Sequence, residues 1–213
     1  MARPSTKEVR RREILRAALD LIAVDDRTEV TVVSVARHMG LTPNAIRYYF
    51  RDNDALGQAL DAQVMSRFLG ERLAAIAELD DPRHQLVRVM ELGIPTGPDD
   101  IEWRSTFRPL LAGVVTADSG QYLSDVFEDQ VAVYRDVLVD GERSGVFALR
   151  QPAADIARLL LAMEDYLGLR ITLMDPRLDR AEALRLMRDY AALATGTELP
   201  SDGRGSTPEE PRG

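Results

Sequence analysis

Between Thr31 and Pro43 the chain starts a helix, stops it and starts another. Thr31 is a good N-cap, and Val32, Val35, Ala36 and Met39 fall on one face of the short helix it opens. Gly40 supplies the left-handed residue that ends that helix. Thr42 then caps a second one, with Pro43 at the first helical position, where its missing N–H costs nothing. Two short helices held this close by their own caps form a tight angular pair. With the longer helix before it the pair makes a three-helix arrangement in which Val35, Ala36, Leu41, Ile46 and Phe50 hold the helices together, although many helical proteins contain short helix pairs.

The rest of the chain agrees with an all-α fold. Strand signals are nearly absent, the β-branched run Val30-Thr31-Val32-Val33 being short and without hairpin turns around it. Ser5 with Glu8 three residues on predicts the start of a first helix, which carries Ile14, Leu15, Ala18, Leu21 and Ile22 at helical spacing and ends at Asp25-Asp26. Asp52 caps a fourth helix running through Leu56, Leu60, Val64 and Phe68 to about Leu79. Beyond Asp80-Asp81-Pro82, helices are expected near 83–94, 100–116, 119–144, 153–174 and 179–195. The domains expected are a three-helix unit over 1–56, a larger helical unit over 57–196, and a Pro/Gly/Ser/Glu-rich tail over 197–213 that should be disordered.

Composition removes several kinds of chemistry. The 213 residues contain no Cys and only two His, His38 and His84, so thiolate chemistry is absent and no metal site or cofactor is expected. A helical enzyme would have to rely on a carboxylate pair such as Glu164 and Asp165, which as helix neighbours point about 100° apart. No stretch is long and apolar enough to span a membrane, and a cytoplasmic location is expected. The net charge of −8 is unevenly spread: residues 1–56 carry ten Lys and Arg against eight Asp and Glu, whereas 57–213 carry seventeen against twenty-seven. Arg3, Lys7, Arg10, Arg11, Arg12 and Arg16 make a basic arm that suits phosphate, or else a solvated helix face.

The second short helix leaves Thr42, Pro43, Asn44, Arg47 and Tyr48 outside the core. Asn can pair with adenine, Arg with guanine or phosphate, and a Tyr hydroxyl with phosphate. The stretch TVVSVARHMGLTPNAIRYYFRDNDAL, preceded by KEVRRREILRAALDLIA, resembles the helix-turn-helix of TetR-family transcriptional repressors. That resemblance implies a DNA-binding domain whose second short helix enters the major groove, and a larger C-terminal domain for ligand binding and dimerisation. The expected DNA-contacting set adds Arg3, Lys7, Thr31, Val33, Tyr49 and Asn53 to the five exposed residues. Three positions depart from the family pattern: Asp26 stands where a Gly is usual, Tyr49 where a His is common, and Asn53 where a Lys usually meets phosphate.

In the second domain AMEDYLGLRITLMDP and Trp103 resemble the BetI-like branch of the family. Its last two helices present more apolar surface than one subunit's core needs, and Leu159, Leu169, Leu173, Leu184 and Met187 are expected at a homodimer interface. Trp103, Phe107, Tyr122, Phe127, Tyr134 and Tyr166 are candidates for a ligand pocket or plain core. Glu164 and Asp165 interrupt the most apolar helix, with Arg158 and Arg170 as candidate partners. The effector expected from them is an apolar compound carrying a cation or hydrogen-bond donors, with Trp103 or Tyr166 adding a cation–π contact. The function expected is that of a ligand-responsive regulator, a homodimer released from a palindromic operator on double-stranded DNA by a small-molecule effector. The alternatives are an interaction module that has lost DNA binding and a small-molecule enzyme.

Overall fold

The computed structural model describes residues 6–24, 30–100, 103–104 and 117–204, without the side chains of 23–24, 67 and 117–123. Within these the regular structure is helical: α1 (Thr6–Val24), α2 (Val32–His38), α3 (Pro43–Arg47), α4 (Asn53–Ala77), α5 (Pro82–Gly93), α6 (Ala117–Arg143), α7 (Ala153–Thr172) and α8 (Arg180–Thr195). The chain divides into two compact units at residues 67/68, inside α4 and C-terminal to the boundary expected at 56/57.

The first unit is assembled by its caps. Thr31 Oγ1 accepts the Ser34 amide at 3.0 Å while Ser34 Oγ accepts the Thr31 amide at 2.8 Å, a reciprocal box that fixes the start of α2. Gly40 takes φ +65°, and its neighbour Leu41 returns an amide to the Ala36 carbonyl at 2.8 Å, so the turn closes on the helix it ends. Thr42 Oγ1 accepts the Ala45 amide at 3.3 Å to open α3. Asp52 does the same for α4 through the Ala55 amide at 2.8 Å. Ile14, Ala18, Val35, Ala36, Ile46, Phe50, Leu56 and Leu60 close into one buried cluster. At about 1.5–3 kcal/mol for each large apolar side chain, that cluster, and not helix propensity, holds a five-residue α3 in place.

In the second unit α5, α6, α7 and α8 pack around Leu86, Met90, Tyr134, Leu138, Ile156, Leu160 and Met187. Asp81 opens α5 by accepting the Arg83 amide at 2.9 Å, and Asp179 opens α8 by accepting the Glu182 amide at 2.8 Å. Gly196, at φ +64°, ends α8.

Residues 197–204 correct the expectation of a disordered tail. Leu199 packs on the core of the second unit, Arg188 donates to the Ser201 carbonyl at 2.9 Å, and the Gly203 amide donates to Glu91 Oε1 at 3.0 Å. A few specific contacts order a stretch whose composition alone reads as loop. Residues 205–213 and most of the helix expected over 100–116 lie outside the described residues; of that span only Asp100, Trp103 and Arg104 are described, the last two in a helical turn.

Candidate nucleic-acid interface and ligand cavity

On the first unit, α3 buries Ile46 and turns Asn44, Arg47 and Tyr48 to the solvent, Tyr48 being 71% exposed. Thr42 is exposed and Pro43 half-buried beside them. Arg47 donates to Asn44 Oδ1 at 3.2 Å, a bond between two exposed groups that leaves both free to exchange it for a base edge. Lys7 Nζ stands 5.6 Å from the centre of the Tyr48 ring, so the arm of α1 and the face of α3 meet. Val33 is exposed at 45% on α2. Arg3 and Asp26 lie outside the described residues.

Three members of the expected set have structural work. Thr31 is spent as the α2 cap. Tyr49 is half-buried against the apolar cluster and meets Tyr48 edge-on at 5.0 Å between centroids. Asn53 is exposed, but its Oδ1 accepts the Val32 amide at 2.9 Å, so it ties α4 to the first turn of α2. The basic arm is divided as well: Arg11 donates to the Tyr49 carbonyl at 2.9 Å and lies over the Phe50 ring at 4.3 Å, and Arg10 pairs with Glu13 at 2.6 Å.

The second unit holds a charged cluster that sequence reasoning missed in part. Glu164 is fully buried, and its partner is Arg72 of α4, not Arg158 or Arg170. Arg72, 1% exposed, donates through Nη1 and Nη2 to the two carboxylate oxygens at 3.0 and 2.8 Å, and through Nη2 to the Val89 carbonyl at 3.0 Å. The Tyr134 hydroxyl donates to the same carboxylate. Burial works to depress the Arg72 guanidinium, but Glu164 and Tyr134 leave it raised, so it stays charged. Burial also drives the Tyr134 hydroxyl well above its ordinary value and keeps its proton in place to donate. The partners expected for Glu164 are engaged elsewhere: Arg158 lies 3.4 Å from Glu128, and Arg170 forks onto Asp175 at 2.7 and 2.5 Å. One signal pointed to Arg72: it breaks the apolar row Met65, Leu69, Ile76 on α4.

Asp165 is held differently. Burial pushes its carboxyl up to about 7, the charge of Glu164 adds to the rise, and Arg72 opposes it. Its Oδ1 is buried without a hydrogen-bond partner among the described residues.

Beside the Arg72–Glu164 pair lies a cavity of about 80 Å³. Phe68 and Trp103 form its aromatic walls, Leu92, Ile94 and Pro95 its aliphatic ones, and Glu71, Arg72 and Asp100 its charged lining. Trp103 is buried against Gly168, where a Cβ would come within 2.7 Å of the indole; the absent side chain makes room for the ring. Tyr134 reaches the cluster through Glu164, while Phe127 packs on the core. Tyr166 is 60% exposed with the Arg170 guanidinium 5.7 Å from its ring centre, so it is a surface residue and not a cavity wall. Phe107 and the side chain of Tyr122 lie outside the described residues.

Leu159 and Leu173 are exposed on α7 and at its C-terminal end, and Leu169 is half-buried. Leu184 and Met187 correct the expected interface: both are buried in this chain's own core, because they sit on the stripe of α8 that faces α5 and α7. The large apolar residue exposed on α8 is instead Leu193, at 76%. Among the described residues no helix is long and apolar enough to cross a membrane.

No protein-family profile matches the chain. It is 28% identical to the HTH-type transcriptional regulator BetI 2 of Chromohalobacter salexigens over 89% of its length and 90% of that protein's. It is 25% identical to BetI of Brucella anthropi over 91% and 97%. Its fold is similar to that of a putative transcriptional regulator from Saccharomonospora viridis solved with choline, with a TM-score of 0.73 and 22% identity, covering 86% of this chain and 95% of the other. It is also similar to a TetR transcription regulator from Haloarcula marismortui, with a TM-score of 0.72 and 18% identity, covering 91% and 100%.

Proposed function

Because the chain is a helix-turn-helix transcriptional regulator of TetR type with homology to the BetI proteins, we propose that it is a repressor. In this reading it binds a two-fold operator as a homodimer and leaves it when a small molecule enters the second unit. The observation that carries the reading is the α3 face. Asn44, Arg47 and Tyr48 are exposed on a helix whose opposite side is fixed by Ile46, with Lys7 beside them. A groove-reading element needs this combination: a backbone that does not move, and donors that give up only weak mutual contacts when they meet bases and phosphates.

The dimer surface proposed is the apolar set left uncovered by the protomer, namely Leu159, Leu173 and Leu193 on and beside α7 and α8. A two-fold protein reads a two-fold site, with recognition helices about one DNA turn, ~34–36 Å, apart. The protein acts without catalysis, in keeping with a chain that has no Cys and only two His. Effector and operator are coupled by a shared equilibrium, so each weakens the other by the same factor, typically worth 1–3 kcal/mol. The helix α4 carries Asn53 in the first unit and Arg72 in the second, a continuous element on which both ligands can act.

A gel shift on DNA flanking the protein's own gene tests this. Arg47→Ala should lose about 1–3 kcal/mol of operator affinity, roughly 5- to 150-fold, with its helical circular dichroism unchanged. An Arg47→Ala protein that binds as tightly as the parent would refute the assignment of α3.

A further inference from the structure

The helix α3 is five residues long and buries one side chain, Ile46. Its first end is held twice, by the Thr42 cap and by the Leu41 amide on the Ala36 carbonyl. Its far end carries Arg47 and Tyr48, and α1 reaches it from the side. Arg11, half-buried, donates from Nη1 to the Tyr49 carbonyl at 2.9 Å, 38 residues away in sequence. The same guanidinium lies 4.3 Å from the centre of the buried Phe50 ring. Lys7, four residues earlier and so on the same face of α1, stands 5.6 Å from the centre of the Tyr48 ring. One face of α1 thus grips three consecutive residues, 48 to 50. We propose that Arg11 is a positioning residue for DNA reading: it fixes the far end of α3 so that Arg47 and Tyr48 meet the groove in one register, and it holds no phosphate itself. The proposal rests on the reading of α3 as the groove-entering helix and deepens it.

The basic arm then has two tasks. Arg12 and Arg16 are exposed, whereas the charge of Arg11 is turned onto a carbonyl and a ring of its own domain. A charge-assisted bond to a half-buried carbonyl is among the stronger hydrogen bonds, and this one fixes the peptide that follows Tyr49. The flat stack on Phe50 ties the same guanidinium to the apolar cluster that carries Ile46. Lys7 is no substitute, since a cation over an exposed ring contributes little. Losing Arg11 removes no base contact; it lets the last turn of α3 shift against α1. Base edges demand placement within about half an ångström, so they feel that shift first. Attraction to phosphates makes no such demand and is sequence-independent. Discrimination between sequences should therefore fall while general affinity for DNA survives.

The test compares two duplexes by fluorescence anisotropy over a range of salt. One is the segment flanking the protein's own gene that the parent binds most tightly, and the other is a scrambled duplex of the same length and composition. Arg11→Met keeps an apolar stem over Phe50 and removes the donor and the charge. It should lose about fivefold or more of the affinity for the first duplex, the low end of what one misplaced base contact costs. Affinity for the scrambled duplex should fall about twofold or less, with its log–log salt slope unchanged. A residue that only braces the fold would lower the melting temperature and leave the ratio of the two affinities as in the parent; an unchanged ratio overturns the proposal. A salt slope on the scrambled duplex flatter by about one marks a phosphate contact and overturns it too. Arg11→Lys keeps the charge without the flat stack or the forked donors, and should lower the ratio about threefold or more. Where Arg11→Met does not fold, Arg11→Lys decides, and a ratio equal to the parent's refutes the proposal. A parent that binds both duplexes alike sinks the reading of α3 and this proposal with it. A parent whose preference is lost with Arg47→Ala but kept with Arg11→Met sinks this proposal alone.

Discussion

Replacing Glu164 with Gln keeps the shape of the side chain and an acceptor for the Tyr134 hydroxyl, but leaves Arg72 charged, 1% exposed and without its counter-ion. Removing one member of a buried pair costs about 3–5 kcal/mol, most of it the penalty of the charge left behind. For a chain of this size each kcal/mol moves the melting temperature by about 2–4 °C, so a drop on the order of 10 °C is expected. Arg72→Met alone should cost a similar amount, since it strands the Glu164 carboxylate instead. Combining Arg72→Met with Glu164→Gln removes both charges, and apolar or neutral replacements of a buried pair are often no less stable than the pair itself. The double variant should therefore recover most of the loss, giving a coupling energy of about 2 kcal/mol or more between positions 92 residues apart in sequence. Urea denaturation of the parent, both single variants and the double variant measures it. If each single variant lost less than about 1 kcal/mol, or if the two losses simply added, the reading of Arg72 and Glu164 as a desolvated, mutually dependent pair would be wrong.

Further expectations concern the surfaces and one carboxyl. Leu173→Arg or Leu193→Arg, placed on exposed apolar positions of the proposed interface, should shift the sedimentation coefficient from dimer to monomer with helicity intact; a folded dimer in both cases would move the interface elsewhere. Leu184→Arg should instead unfold the second unit, because Leu184 is buried within the protomer; a soluble, folded monomer would contradict that placement. Asp165 has a folded-state value of about 7 against an ordinary 3.8, so the folded state holds its proton more tightly and this group favours folding below about pH 4. That contribution is lost as pH rises through about 7; Asp165→Asn should be more stable than the parent at pH 8, with the difference fading toward pH 4. A difference that grew on acidification would have the sign reversed.

What the sequence made legible is what depends on near neighbours. The caps at Thr31, Thr42 and Asp52 and the left-handed Gly40 are decided within four residues, and all four stand where local chemistry puts them. Periodicity likewise picked out the buried faces of α1, α2 and α3, although it could not separate exposed Tyr48 from half-buried Tyr49, which differ by their fit against one cluster. The partner of Glu164 was only half legible: the break in the apolar row of α4 sets Arg72 apart, but nothing near Glu164 in sequence ties it to that arginine and not to those closer at hand on its own helix. Leu184 and Met187 were misassigned for a related reason: helical spacing shows that a stripe is apolar, not whether the surface covering it is the same chain or another. The ordering of 197–204 rests on Leu199, on Gly203 against α5 and on Arg188, single contacts too sparse to change the composition of a tail.

A Cβ added at Gly93 would fall on the carboxylate of Glu164. The missing side chain in α5 is the notch that the buried acid occupies, so the two positions constrain each other's history. While position 164 is Glu, position 93 is closed to every larger residue, and while position 72 is Arg, position 164 cannot lose its charge without stranding a cation. Descendants of this protein that differ at one of the three sites should differ at another. A lineage leaving this arrangement one substitution at a time passes through a weakened protein, which makes the buried pair a ratchet: simple to inherit and hard to discard.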